Sequence, residues 1–329
     1  MVMKEFVKSF PQHIMHALEI SHDIRINIDS SKIDNIVIIG QGGSAIGGMI
    51  VKNLLKEKIS IPILLNQDYQ IPYFVNNRTL VIASSYSGNT EETLCALKEA
   101  HNRNSLIFCI CSGGEMLSFS KKNSINYILI PSGSAPRAML CYSIVQILSI
   151  ISRTWVIYQN LKKDLLNTQQ YLTDKQTDII KLAKETAVSI SHKMPFIYTF
   201  PEFEGVAIRF KQQLNENSKR HACYNLIPEM NHNEIVPWVN KNVCVIPIFL
   251  NGVTFYRNQT RMIISVDKIK DSVEDLIELK SNDQISYLQQ YFYFIHLVDW
   301  ISVIIAEQES VDPDDITLIN YLKDQLKKL

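Results

Sequence analysis

Residues 79–93 read Thr79-Leu-Val-Ile-Ala-Ser-Ser-Tyr-Ser-Gly-Asn-Thr-Glu-Glu-Thr93, and this stretch decides the fold. Its apolar beginning predicts a buried strand, and the leucines that follow at helical spacing predict a helix. The hydroxyl-rich turn between them places free backbone N–H groups at a helix N-terminus, an arrangement that binds anions. A serine-rich turn in which Asn89 or Thr90 caps the helix explains the same residues without a ligand.

Other strand-like runs alternate with helical patterns in the first half of the chain, at residues 35–40, 61–66, 105–110 and 127–131. This alternation predicts a parallel sheet that is covered by helices on both faces. Such sheets bind ligands at the carboxyl ends of their strands. The glycine-rich residues 40–48 and the serine-rich turn both follow strands, so both fall at that edge.

The second half repeats the pattern after a polar helical stretch at residues 160–192. Strand-like runs occur at residues 195–200, 222–227, 243–249 and 262–266, and helical patterns at 204–215, 285–307 and 314–329. An amphipathic helical pattern also covers residues 1–30. We therefore predict an α/β fold of two doubly wound parallel-sheet domains with flanking helices, at residues 1–155 and 156–329. The second domain lacks glycine and serine loops of the first kind, so we expect one phosphate site, in the first domain.

The composition limits the classes of function. The chain has 329 residues, is 46% hydrophobic, and carries 33 basic and 33 acidic side chains. Zero formal charge gives no electrostatic reason to expect nucleic acid or an anionic membrane as a partner. We read the apolar residues 138–151 as a buried helix, since they are too few to span a bilayer. The N-terminus lacks a signal-peptide pattern, and the six cysteines form no C-x-x-C pair, so we expect a reducing cytoplasmic location and no metal.

A dinucleotide site is one alternative, because Gly40-x-Gly42-x-x-Ala45 lies between a predicted strand and a predicted helix. That motif requires an acidic residue at the end of the next strand. Asp68 lies beyond that position, and a second anion loop has no role in binding NAD. The dinucleotide interpretation is therefore the weaker one.

Two of these stretches, Gly42-Gly-Ser-Ala45 and Ser85-Tyr-Ser-Gly-Asn-Thr-Glu-Glu-Thr93, resemble the sugar isomerase (SIS) domain. Further stretches narrow the resemblance to the bifunctional phosphoglucose/phosphomannose isomerases: Pro131-Ser-Gly-Ser-Ala-Pro-Arg137, Gln213-Leu-Asn-Glu-Asn217, Pro228-Glu-Met-Asn-His-Asn233 and Asp312-Pro-x-x-Ile-x-x-Ile-x-x-Leu-Lys323. The resemblance covers nearly the whole chain. It implies two SIS-type domains and the interconversion of fructose 6-phosphate with glucose 6-phosphate and mannose 6-phosphate through a cis-enediolate, with no metal and no redox cofactor.

The resemblance also implies roles for individual residues. Glu216 would be the base that moves the proton, and Arg137 would lie near the enediolate. His232 would assist ring opening, with Lys323 as a candidate helper. In the family this histidine reaches the site from a neighbouring subunit, which implies a homodimer with shared active sites. The phosphate of the hexose would be held by a set of small residues: Gly43, Ser44, Ser85, Ser87 and Thr90.

Each of these side chains has an ordinary structural explanation when it is taken alone. Glu216 suits a solvated helix end, His232 a loop between two asparagines, and Lys323 a charged helix surface. The chain also departs from the family pattern after Pro313, where Asp314 and Asp315 replace the usual Thr and Pro. A non-catalytic sugar-phosphate-binding SIS protein therefore remains the alternative function, and the sequence leaves the preference between the two aldose epimers open.

Overall fold

The computed structural model describes residues 2–22, 24, 26, 28–241, 244–326 and 328. Its first sheet is entirely parallel, with the strand order β2-β1-β3-β4-β5. The strands are β1 (Asn35–Ile39), β2 (Ile63–Asn66), β3 (Thr79–Ser84), β4 (Leu106–Cys111) and β5 (Asn126–Leu129). The helices of this half are α1 (Val2–Lys8), α2 (Phe10–His22), α3 (Gly43–Leu55), α4 (Glu91–Asn102), α5 (Gly114–Lys122) and α6 (Leu140–Thr154).

The second sheet is also parallel and has the order β7-β6-β8-β9. Its strands are β6 (Met194–Thr199), β7 (Cys223–Leu226), β8 (Val245–Asn251) and β9 (Ile277–Lys280). The helices are α7 (Tyr158–Ile190), α8 (Glu204–Glu216), α9 (Tyr256–Ile269), α10 (Tyr287–Gln308) and α11 (Thr317–Leu326). Two doubly wound parallel sheets with flanking helices are the predicted fold class, which is confirmed.

Helices at the centre of the molecule join the two halves into one core. A Cβ atom at Gly205 of α8 would lie 2.8 Å from Ile50 Cγ1 of α3, so the two helices touch where the glycine leaves room. Every residue of α6 except Arg153 is buried. The buried helix predicted over residues 138–151 is therefore confirmed from Leu140 on, whereas residues 138 and 139 belong to a 3₁₀ turn. Helix α10 is long and apolar enough to cross a membrane, but 89% of its apolar window is buried inside the protein, which is the behaviour of a core helix.

Most predicted elements are present, with one clear error. Residues 262–266, predicted as a strand, lie within α9, where burial of Met262, Ser265 and Ile269 follows a helical spacing. A short apolar run fits a strand or a buried helix equally well, and the flanking residues decide. The fourth strand of the sheet is instead β9. The predicted N-terminal helix is two helices that end at His22. Parts of the predicted elements lie outside the described residues: Met1, Asp23, Arg25, Asn27, Val243, Lys327 and Leu329.

Candidate active site

The strand order of the first sheet changes direction at β1 and β3, where open α/β sheets form a crevice at the carboxyl ends of the strands. Strand β2 lies on one side of β1, and β3 lies on the other side. Ligands of open α/β sheets bind where the chain changes direction across the sheet in this way. A Cβ atom at Gly40 would lie 3.0 Å from the Ser84 carbonyl oxygen and 3.0 Å from Ser44 Cβ. The glycine loop (residues 40–44) and the serine loop (residues 84–90) therefore meet at this crevice.

The serine loop ends at the N-terminus of α4. Ser85 Oγ and Thr90 Oγ1 lie 2.8 Å apart and share a hydrogen bond, while the Asn89 N–H donates to Ser87 Oγ at 3.2 Å. Thr90 occupies the N-cap position, but its hydroxyl does not cap the helix. Gly88 has φ +68°, and a Cβ atom there would collide with the Gly113 carbonyl. Because Thr90 does not cap the helix, the first-turn N–H groups of α4 have no hydrogen bond from the N-cap side chain. This arrangement suits an anion site.

The loop that leads to Arg137 forms a wall of the same crevice. The Ser134 N–H donates to the Tyr86 hydroxyl at 2.8 Å, which ties this loop to the serine loop. A Cβ atom at Gly43 would lie 3.9 Å from Arg137 Cα, at the start of α3. Arg137 thus enters the site next to both predicted phosphate loops.

Arg137 and Glu216 are brought into contact from opposite halves of the chain. Arg137 Nη1 donates to Glu216 Oε2 at 3.2 Å, and Arg137 Nε donates to Asn217 Oδ1 at 2.8 Å. Burial lowers the pKa of Arg137, and the Glu216 carboxylate opposes that shift. The Arg137 side chain is only 5% exposed but that of Glu216 is 32% exposed, so the carboxylate keeps an open side toward solvent.

A buried network that the sequence analysis missed holds this pair in place. Arg209 Nη2 donates to the Arg137 carbonyl at 2.8 Å, and Arg209 also makes a bidentate ion pair with Asp299 at 2.9 and 2.8 Å. Gln213 Nε2 donates to the same carboxylate at 2.8 Å. A sequence signal existed, because Asp299 is an acidic residue within the apolar α10, where an unpaired charge is costly.

His232 and Lys323 lie elsewhere. His232 is exposed at the end of a short 3₁₀ turn that packs on α9, where Asn231 Nδ2 donates to Ser265 Oγ at 2.7 Å. Lys323 is exposed on α11, a helix with no buried residue. Within the part of the chain that the structure describes, no hydrogen bond or ion pair joins either side chain to Glu216.

The arrangement favours acid–base chemistry on an anionic ligand. It offers the accessible Glu216 carboxylate, the buried Arg137 guanidinium and two uncharged loops that suit an anion. The end of β2 carries Asn66, whose amide donates to the Asp68 carbonyl at 2.9 Å, so the carboxylate that a dinucleotide site requires is not at its place. Among the described residues, no group of three or more His, Cys, Asp or Glu side chains is arranged to hold a metal.

Comparisons with known proteins agree with the predicted family. A model of the bacterial phospho-glucose isomerase C-terminal SIS domain matches residues 179–326, and a model of the SIS domain matches residues 30–157. A bifunctional phosphoglucose/phosphomannose isomerase from Caldicellulosiruptor bescii is 36% identical over 99% of both chains. The chain belongs to this isomerase family.

Another member, from Aquifex aeolicus, is 32% identical over 91% of this chain and 92% of its own. Among solved structures, a putative phosphosugar isomerase from Clostridium difficile superposes with a TM-score of 0.77 and 17% identity, covering 97% of both chains. That likeness concerns the fold alone. The predicted family is therefore confirmed, whereas the roles given to single residues stay predictions.

Proposed function

We propose that this protein is an aldose–ketose isomerase that interconverts fructose 6-phosphate with glucose 6-phosphate and mannose 6-phosphate. The observation that carries the proposal is the contact between Glu216 and the buried Arg137 at the crevice between β1 and β3. A proton transfer through an enediolate needs one base and positive charge beside the developing oxyanion. Both groups lie next to two loops that suit a phosphate.

In this proposal the phosphate of the hexose binds at the N-termini of α3 and α4. Its partners are Gly43, Ser44, Ser85, Ser87 and Thr90. Hydrogen bonds to a charged acceptor are worth about 1.5–3 kcal/mol each. The uncharged loops and the two helix dipoles hold the anion, which leaves Arg137 free for the reacting end of the sugar.

Glu216 would take the proton from C2 of the aldose and return it to C1, and the reverse transfer would serve the ketose. Arg137 would stabilise the enediolate oxygen, since a buried guanidinium acts in a medium of low dielectric constant. The partial exposure of Glu216 leaves its carboxylate accessible to the substrate. No metal and no redox cofactor takes part in this scheme.

We also propose that the active form is a cytoplasmic homodimer in which His232 serves the partner's site and opens the sugar ring. The support is an exposed apolar surface beside His232, formed by the residues around the following turn and on α9: Val236, Val239, Ile263 and Ile264. Monomeric proteins rarely leave such patches uncovered. Lys323, on the exposed α11, would be recruited to the site by the same assembly.

Subunit exchange tests the shared site. Glu216→Gln and His232→Ala proteins are each expected to be inactive alone. After mixing and free exchange, about half of the dimers carry one intact site of two, so roughly a quarter of the wild-type activity is expected to return. No recovery, with exchange verified by mass spectrometry, would place both residues in one subunit's site.

The function itself is tested by incubation of the purified protein with fructose 6-phosphate. Coupled assays then follow glucose 6-phosphate and mannose 6-phosphate separately. Formation of both aldoses is expected, with glucose 6-phosphate formed faster. Binding of fructose 6-phosphate without turnover would instead indicate a sugar-phosphate-binding protein, and an absence of mannose 6-phosphate after long incubation would restrict the activity to phosphoglucose isomerisation.

A further inference from the structure

Lys219 makes two contacts that the proposed mechanism does not use. It follows α8, three residues after Glu216, and its backbone has φ +56°, in the left-handed region. Its ammonium donates to the Glu216 carbonyl at 2.6 Å and to the Asp315 carbonyl at 2.9 Å. One side chain therefore connects the end of α8 to a segment that lies 96 residues further along the chain.

That segment, residues 312–316, is here called the strap. Pro313 of the strap is buried, and its carbonyl accepts a hydrogen bond from Arg137 Nη2. Two cations, Arg137 and Lys219, thus donate hydrogen bonds to two carbonyls of the strap. Both cations also contact Glu216: Arg137 contacts its carboxylate and Lys219 contacts its backbone carbonyl. Helix α11 follows the strap and has no buried residue of its own.

The two cations lie close enough to disfavour each other. Burial lowers the pKa of Lys219, and the nearby positive charge of Arg137 lowers it further. Placing like charges together costs free energy, and the hydrogen bond from Lys219 to the Glu216 carbonyl offsets that cost, because carbonyls at the C-terminal end of a helix carry partial negative charge.

We propose that Lys219 is a positioning residue that fixes the strap, and through it α11, to the backbone of Glu216. The kinetic part of this inference rests on the proposed function. Because the phosphate is held by other loops, loss of the contact disturbs the geometry of the base rather than the affinity for the substrate. A change in kcat with little change in KM is the expected signature.

The test uses the full chain with Lys219→Met, which keeps the length of the side chain and removes its donors. Lys184→Met, a change at an exposed lysine of α7, serves as the control. Hydrogen exchange measured by mass spectrometry is expected to speed up about tenfold within residues 311–326 of Lys219→Met and nowhere else. The kcat for fructose 6-phosphate is expected to fall about tenfold with KM within twofold, and Lys219→Arg is expected to restore most of it.

Three results would overturn the inference. The first is unchanged exchange of residues 311–326 in Lys219→Met. The second is faster exchange there with unchanged kcat. The third is faster exchange over the whole chain, which marks a general loss of stability. If the wild-type protein does not isomerise fructose 6-phosphate, the proposed function fails, while the exchange measurement still decides whether Lys219 holds the strap.

Discussion

The two sheets share the order of their first four strands but differ in the loops after their central strands. In the first sheet, β1 and β3 lead into the glycine loop and the serine loop. In the second, the corresponding strands β6 and β8 lead to Glu202 and to residues 253–255. There Thr254 donates to the Glu202 carboxylate at 3.1 Å, so an acid stands after β6, where the first sheet has the glycine loop after β1. An acid at this place would repel a phosphate, which agrees with our proposal of a phosphate site at the first crevice alone.

The crevice of the second sheet, after β6 and β8, contains open space. A cavity of about 400 Å³ lies there, bordered by Asn53, Glu202, Thr254 and Tyr287, and none of the proposed catalytic or phosphate-binding residues lines it. The second sheet contributes to the proposed site in another way, since α8 follows β6 and its far end carries Glu216. In our proposal, one half therefore supplies the loops that bind the phosphate and the other half supplies the base.

The largest effect on stability is expected at Arg209, which pairs with Asp299 inside the second half and donates to the Arg137 carbonyl of the first half. Arg209→Met leaves Asp299 buried without its cation, and breaking a buried pair in this way costs about 3–5 kcal/mol. We expect unfolding by urea at a markedly lower midpoint. The exposed pair of Lys98 and Glu115 provides the control, since Lys98→Met should change the stability by less than about 1 kcal/mol. Equal effects of the two substitutions would contradict a stabilising role for the buried pair of Arg209 and Asp299.

Acid is expected to lower the stability of the protein through the core that both sheets share rather than through either crevice. Burial lowers the pKa of His296 to about 3 and that of His13 to about 4. Below pH 6.5 the unfolded chain binds protons that the folded chain does not. Stability should therefore fall with decreasing pH, by up to about 1.4 kcal/mol per pH unit for each histidine.

Urea titrations between pH 7 and pH 4.5 measure this dependence. His296→Gln keeps an acceptor for the Trp300 indole N–H, which His296 Nε2 now accepts at 3.3 Å, and it removes one titrating group. Its stability should depend less steeply on pH than that of the wild type. An identical slope would exclude His296 as a source of the acid sensitivity.

A smaller effect, on KM, is expected for single substitutions that compare the two crevices. Ser87→Ala removes one donor to the phosphate and is expected to raise KM for fructose 6-phosphate roughly tenfold. Thr254→Val changes a hydroxyl at the second crevice and should leave KM unchanged. Steady-state kinetics of both variants decide the matter. A raised KM in Thr254→Val, or an unchanged one in Ser87→Ala, would reverse the assignment of the phosphate site.

Local patterns predicted the fold and the two loops, because both depend on residues close together in the sequence. The strand before Ser84 and the glycines after Ile39 are such cases. Residues 262–266 were wrongly predicted as a strand because a short apolar run does not show whether its hydrophobic residues follow the spacing of a helix or of a strand. Arg209 with Asp299, and Lys219 with Asp315, are separated by 90 and 96 residues, so only the folded chain brings them together. The domain boundary after residue 155 stays a prediction.

The central claim is that Glu216 moves the proton, and isotope exchange tests it most directly. Wild-type protein is incubated in D₂O with glucose 6-phosphate, and the loss of hydrogen at C2 is followed by NMR. Glu216→Gln keeps the shape of the side chain and the contact with Arg137 but cannot take a proton. We predict that kcat falls at least about 10²-fold and that exchange at C2 stops, while a phosphorylated sugar alcohol still binds. Exchange that continues at the wild-type rate would show that another residue is the base.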